Sequence, residues 1–328
     1  MTSQDKVLAH FMGDGKNFTL VQKMLLGIAI GDAFGAGYEF VRQYKRDQQQ
    51  EVDITKYRAH PSPKYQHKEG MYTDDTQMSI AVAELLLSGK EFNLENLADF
   101  FLGCYKRDPI VGYAKGFQGF LDSVSTKEQF LQRIISTLIR NGAAMRAVPL
   151  GIIDDPTRVI EYAITNASIT HNTPNGIASS VIVSLLSHYN IYERRILAAE
   201  ELVPHVQGID SITTSYLERV AKMDAFNPEL LFGQEDKDKG VPCDGMRTAG
   251  AVFYLLSHFT EPKDILREGT KLGGDVDSVL SISLGINLMH QEVSDLPQPL
   301  YDGLTNHAFG RDYLLQLGEQ LGRKFPVL

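Results

Sequence analysis

Thr73-Asp74-Asp75-Thr76-Gln77-Met78-Ser79-Ile80-Ala81-Val82-Ala83-Glu84-Leu85-Leu86 is the stretch that decides the fold class of this chain. From Met78 onward the apolar residues Ala81, Val82, Leu85 and Leu86 recur at three and four residues, the period of an amphipathic α-helix. The helix opens on two carboxylates. The arrangement returns about two hundred residues later in Gly273-Gly274-Asp275-Val276-Asp277-Ser278, which leads into Val279, Ile282, Ile286 and Met289 at the same spacing. Taken singly, either cluster reads as an acidic helix cap, because carboxylates at an N-terminus accept free backbone N–H groups and gain from the helix dipole. Taken together they read as two halves of one metal site. Each supplies two carboxylates with a hydroxyl beside them, and no Cys or His lies within a few residues. Such hard oxygen donors suit Mg²⁺ or Mn²⁺ rather than Zn²⁺.

Helix signals continue along the chain. Asp155-Pro156, Thr173-Pro174 and Glu261-Pro262 each place proline where a first turn tolerates it, and Ser125 with Glu128 forms a capping box. Helices are predicted at about 93–106, 126–140, 156–168, 174–189, 192–205, 210–224, 246–258, 262–271 and 305–321. No sustained period-two segment and no internal repeat appears, so the expected fold is all-α. With no Pro/Gly/Ser-rich linker to divide it, the chain is expected to form one domain over residues 1–328.

Gly27, Gly31 and Gly35, spaced by four, line one stripe of a helix beginning near Leu20 and let another backbone approach closely. Asp32 and Glu39 lie on or just beyond this apolar helix, where a carboxylate buried without a partner is costly. Glu39 reads either as a core salt-bridge residue or as a group that reaches a metal or a substrate. Residues 41–70 carry Lys, Arg, Gln and Glu with Pro61 and Pro63 and little periodicity, and they run straight into the first acidic cluster. They read as a lid over the site. Residues 233–240 read as a solvated loop.

A net charge of −9 over 328 residues gives no basic face for nucleic acid or an anionic membrane, so an anionic ligand must be held locally. Cys104 and Cys243 form no CxxC pair, which fits two buried thiols in a reducing compartment, and cytoplasm is expected. The apolar run from Met24 to Gly31 is far short of the ~20 residues that span a bilayer. Gly13-Asp14-Gly15-Lys16-Asn17 lacks the first glycine spacing and the Ser/Thr of a phosphate loop and reads as a surface turn. No HExxH zinc motif and no GxSxG elbow is present.

Gly31-Asp32-Ala33-Phe34-Gly35 with Glu39, then Thr73 to Thr76, Asn141-Gly142-Ala143-Ala144-Met145-Arg146, Ile169-Thr170-His171 and Gly273 to Ser278 occur in an order that resembles the ADP-ribosylglycohydrolase family, and within it the dinitrogenase-reductase-activating branch. The likeness runs from about residue 20 to 289. It implies a single compact orthogonal helical bundle with a binuclear metal cleft, holding two Mg²⁺ or Mn²⁺ and removing ADP-ribose from a modified side chain. By matching motif, the implied metal ligands are Thr73, Asp74, Asp75, Asp275, Asp277 and Ser278. The implied catalytic carboxylates are Glu39 and Asp75, and the implied ADP-ribose contacts are Gly119, Asn141, Gly142, Met145 and His171. The sequence departs from the commonest family pattern at Val276 and Ser278, where threonine is usual. The expected partner is an ADP-ribosylated protein or an ADP-ribose conjugate, and the expected state is a monomer. The bond expected to be cut is N-linked to arginine. Other readings are an O-linked serine or acetyl-ester bond, a binuclear phosphoesterase acting on a nucleotide, and an inactive ADP-ribose-binding protein.

Overall fold

The glycine stripe lets two helices pack at backbone contact. In the computed structural model, which describes residues 18–41, 52–62, 65–292 and 295–327, the Leu20–Gly35 helix lies against the Val276–Asn287 helix, backbone on backbone. A Cβ on Gly27 or Gly35 would stand 2.5 Å from Leu284 O or Asp277 Cα, and one on Gly31 would overlap Leu280 O. Only glycine permits that approach. The partner helix answers with Gly285, where an added Cβ would stand 2.6 Å from Ile28 Cγ1.

Every residue from Val21 to Gly35 and from Val276 to Ile286 is buried, as is most of the Asp74–Ser88 helix that packs beside them. The two helices that follow the acidic clusters are therefore not amphipathic in the expected sense. Their apolar stripe is real, but the opposite face is filled by small residues such as Ser79, Ser281 and Ser283, each fully buried, so these are core helices surrounded on all sides. Amphipathic helices such as Leu94–Arg107 and Pro262–Leu272 form the outer layer. Among the described residues there is no strand, only the isolated bridges Thr137 to His171 and Val241 to Gly274. No helix among them is long and apolar enough to cross a membrane.

The proline start signals hold at Pro156–Ser168, Pro174–Glu193 and Pro262–Leu272. Elsewhere the boundaries move for identifiable reasons. The cap sits one residue later than expected and is not a reciprocal box: Thr126 Oγ1 accepts from Gln129 N, while Gln129 Oε1 accepts from Ser125 N, one residue before the cap, at 2.9 Å. The helix it opens stops at Arg133, not 140, because Ile134, Ile135, Thr137 and Ile139 are β-branched and the segment instead pairs with His171, while Ile139 O accepts from Gly245 N. The expected 192–205 helix is split. Arg194 takes φ 54°, which ends Pro174–Glu193, and Ala199–Val206 begins afresh. The expected 305–321 helix begins later, as Arg311–Lys324, and a separate short helix, Gln298–Gly303, precedes the expected range.

The segment read as a lid is anchored where it is described. Tyr57 donates to Leu300 O at 2.6 Å, Gly70 O accepts from Thr305, and Tyr72 donates to Phe309 O at 2.9 Å. Its residues 42–51 and 63–64, and the turn expected at 13–17, lie outside the described residues.

Candidate metal centre

The first acidic cluster is built around a carboxylate from another helix. Asp32, on the last turn of Leu20–Gly35 and fully buried, accepts from Thr73 N at 2.9 Å, Thr73 Oγ1 at 2.8 Å, Thr76 N at 3.0 Å and Thr76 Oγ1 at 2.6 Å. Asp32 therefore caps the Asp74–Ser88 helix from outside, and Thr73 makes no side-chain cap of its own. This corrects the cap reading of the cluster: the helix start is served by Asp32, leaving Asp74 and Asp75 to the cavity that both line. The Oδ1 of Asp75 is buried with no hydrogen-bond partner among the described residues. Thr73, expected as a metal ligand, turns its hydroxyl to Asp32 and is not among the residues lining the cavity.

The second cluster is shaped by backbone. Gly273 and Gly274 adopt φ 65° and 74°, and the loop is held on both sides. Val241 N donates to Gly273 O, Asp275 N to Val241 O and Phe40 N to Gly274 O, each at 2.8 Å. Asp277 Oδ1 accepts from Ser278 N at 2.9 Å, and Val276 is fully buried away from solvent. Asn141 Nδ2 donates to Asp275 Oδ2 at 2.9 Å and to Thr248 Oγ1 at 3.2 Å. Asn141 thus lines the cavity as expected, but its amide is spent on orienting a carboxylate.

The glycine stripe brings the two clusters together. Asp32, Asp75 and Asp277 each offer a carboxylate oxygen within 4.8 Å of the others, and so do Glu39, Asp275 and Asp277. Asp277 belongs to both triplets. Burial pushes Asp32 up to about 6 and raises Asp74, Asp75, Asp277 and Glu39 from the usual carboxylate range, with repulsion among the group adding to it. So many carboxylates cannot all ionise in one buried space without cations. The residues present fit bound divalent cations.

The far end of the cavity has the opposite character. Arg140 lines it as an exposed cation, with His171, Gly142 and Met145 alongside. Arg146, fully buried, donates from Nη2 to Thr170 Oγ1 at 2.7 Å, and that hydroxyl lies 2.7 Å from His171 Nδ1. The Thr170 proton has Nδ1 as its acceptor, so His171 carries its own proton on Nε2. Burial, then the Arg146 and Arg140 charges, hold His171 down at about 3, and the ring is neutral. A Cβ on Gly142 would stand 2.7 Å from His171 Cε1, so this glycine exists to admit the ring.

Gly119 is not brought to the site. It sits exposed on Lys115–Ser123, outside the cavity lining. The glycine that does approach is Gly112, at φ 123°, where a Cβ would stand 2.6 Å from Thr73 Cβ and 2.8 Å from Asp74 Oδ1. Its only sequence signal is a short break after Asp108-Pro109. Also missed were Asp32 as a member of the carboxylate cluster and Arg140. Cys243, expected as a buried thiol, is half-buried and lines the cavity, while Cys104 is buried. The Gly142–Met145 helix is a single turn, too short for a macrodipole that would hold an anion.

The profile of the ADP-ribosylglycohydrolase family matches residues 16–327. The chain is 26% identical over 309 residues to "ADP-ribosylhydrolase ARH3" of Xenopus tropicalis, covering 87% of this chain and 79% of that protein. It is 28% identical over 278 residues to "ADP-ribosyl-[dinitrogen reductase] glycohydrolase" of Rhodospirillum rubrum, covering 83% of this chain and 85% of that one. A solved structure titled "ADP-ribosylglycohydrolase-related protein complex" shares the fold, with a TM-score of 0.68 at 19% identity over 93% of this chain and 97% of its own. With a match that leaves only the chain's ends uncovered, and two carboxylate triplets meeting at Asp277, this chain belongs to the ADP-ribosylglycohydrolase family of glycosidic hydrolases.

Proposed function

We propose that the protein removes ADP-ribose from a modified protein side chain by attack of water at the anomeric carbon, and that an N-glycosidic bond to arginine is its preferred substrate. The observation that carries this reading is the sharing of Asp277 between two carboxylate triplets in a cavity whose other end holds Arg140 and His171. Asp32, Asp74, Asp75, Asp275, Asp277 and Ser278, with Thr73 behind them, would hold two Mg²⁺ or Mn²⁺. When bound, such ions anchor ribose hydroxyls and make a bound water more acidic.

The chain's own groups do the rest. Glu39 accepts the proton of the attacking water, a role suited to a carboxylate whose affinity for protons burial has raised. Asn141 keeps Asp275 turned to the cavity. At the far end the Nε2–H of neutral His171 and the Arg140 guanidinium serve the pyrophosphate, which is how an acidic protein holds an anion locally. As water's oxygen bonds to the anomeric carbon, the bond to the guanidine nitrogen breaks, that nitrogen takes a proton, and ADP-ribose is released with unmodified arginine. Arginine is favoured because Asn141 to Arg146 and Ile169 to Asn172 are similar to the arginine-acting branch, and an acidic protein tolerates a cationic leaving side chain. The reading places this reaction in the cytoplasm, where isolated thiols stay reduced.

The test is incubation with Mg²⁺ or Mn²⁺ and arginine-, serine- and ester-linked ADP-ribose conjugates. Free ADP-ribose is expected, fastest from arginine. Release of phosphate or AMP instead would indicate phosphoester cleavage. A tenfold preference for serine in kcat/KM, ~1.4 kcal/mol in transition-state binding, would reverse the linkage.

A further inference from the structure

Residues 37–39 and 58–60 run against each other in close register. A Cβ on Gly37 would stand 2.8 Å from both Arg58 Cβ and Arg58 O, the Arg58 guanidinium lies 4.9 Å from the centre of the Tyr38 ring, and His60 Nε2 lies 2.9 Å from Glu39 Oε2. The His60 side chain is only 5% exposed, and its ring packs against Tyr65 with centroids 4.4 Å apart. Tyr65 itself lines the cavity. The contact is thus part of the wall of the site, contributed by the segment that the sequence reads as a lid.

The proton on His60 is fixed by geometry. Ser62 N donates to His60 Nδ1 at 2.9 Å, and a backbone N–H has nothing else to offer, so Nδ1 is the acceptor. With Nδ1 accepting, Nε2–H is the donor to Glu39 Oε2. Oε1 of Glu39 has no hydrogen bond among the described residues, while a Glu39 oxygen lies within 4.8 Å of oxygens of Asp275 and Asp277. The backbone on the other side of Glu39 is constrained as well: Phe40 adopts φ 50°, an unusual conformation for a bulky residue, and is tied to Gly274 O.

We propose that His60 is a positioning residue for the reaction: its Nε2–H holds one oxygen of Glu39 and commits the other to the cavity, with Ser62 N–H setting the tautomer. Without that bond, Glu39 keeps its chemistry but loses its orientation among four other carboxylates lining the same cavity. The inference rests on the reading of Glu39 as the group that accepts the water's proton.

The test compares His60→Leu, which removes the donor, with His60→Gln, which returns an N–H at similar reach. In steady-state hydrolysis of an arginine-linked conjugate with Mn²⁺, His60→Leu is expected to lower kcat by about 10–100-fold with KM within about twofold, and His60→Gln to recover most of it. Thermal melting establishes that both variants fold. A second readout needs neither metal nor turnover. Long-range ¹H–¹⁵N correlation of the metal-free wild type, with the His60 ring assigned by its disappearance in His60→Gln, is expected to show Nε2 protonated and Nδ1 bare. An Nδ1-protonated or doubly protonated ring at neutral pH overturns the proposal, as does wild-type kcat in a folded His60→Leu. If His60→Leu fails to fold, the spectrum and the His60→Gln rate decide. Should the wild type release no ADP-ribose, the proposed function fails, and the spectrum still judges the His60–Glu39 contact.

Discussion

The two acidic clusters look alike in sequence and are held in opposite ways. At the first, a single carboxylate from another helix, Asp32, gathers four donors from Thr73 and Thr76 and fixes the helix start electrostatically. At the second, two left-handed glycines shape the loop, and Val241 and Phe40 clamp it by backbone hydrogen bonds. One half of the site is held by charge, the other by backbone shape. The difference matters because support by charge responds to pH and to cations, whereas support by backbone shape does not.

The largest effect should come where the halves meet. Asp277→Asn and Asp75→Asn are both expected to abolish turnover, but Asp277 serves both triplets and Asp75 one. Elemental analysis should therefore find fewer ions retained by Asp277→Asn than by Asp75→Asn. Full activity in excess chelator, with metal absent, would sink the metal reading altogether. Next in size, Glu39→Gln is expected to keep its metal and lose roughly 10²–10⁴-fold in rate, the range for a general base. An unchanged rate would reduce Glu39 to a structural residue.

Smaller effects sharpen the contrast between charge and shape. Gly274→Ala puts a Cβ at φ 74° against Val241 O, and should cost about 3 kcal/mol of folding stability at any pH. Thr76→Val removes one hydroxyl from Asp32 and should cost about 1.5–3 kcal/mol when Asp32 is ionised, less when it is protonated. Denaturant unfolding of metal-free protein at pH 5 and pH 8 separates them. Equal pH dependence in the two variants breaks the comparison.

The last effect is a pH trend in the unmodified protein. Burial raises Asp32 from 3.8 to about 6, so its folded form prefers the proton. The stability this contributes is fully present below about 3.8 and is lost as pH rises through about 6, on the order of 3 kcal/mol for this group in metal-free protein. Cations substitute for protons, so Mg²⁺ should raise Tm more at pH 8 than at pH 5. A larger gain at pH 5 would mean that the ions do not bind this carboxylate group.

What the sequence reveals here is mostly what is local. Pro-marked helix starts, glycines spaced by four and acidic residues at helix openings all act within a turn or two, and each can be read residue by residue. What escapes is long-range. Asp32 is recognisable as a buried carboxylate in need of partners, but those partners are Thr73 and Thr76, across the chain. Residues 134–140 have helical apolar spacing, yet pair with His171 and Gly245, and Ile139 becomes exposed. His60 lies in a stretch with no periodicity at all, so nothing nearby betrays its contact with Glu39. The misreadings at the cavity arise because its walls are made of such distant meetings, where local preference is overruled.

The glycine stripe also limits how the halves can be aligned. Gly27, Gly31 and Gly35 mesh with Leu284, Leu280 and Asp277 in turn, so the helices engage like a ratchet whose teeth are four residues apart. Slipping one tooth would shift one helix by about 6 Å along the other, at 1.5 Å per residue, and carry Asp277 a full turn away from Asp32. Because the teeth are backbone, changing the volume of neighbouring core side chains offers no intermediate setting. The spacing between the two halves of the site is discrete, and only one of its available values brings the carboxylates together.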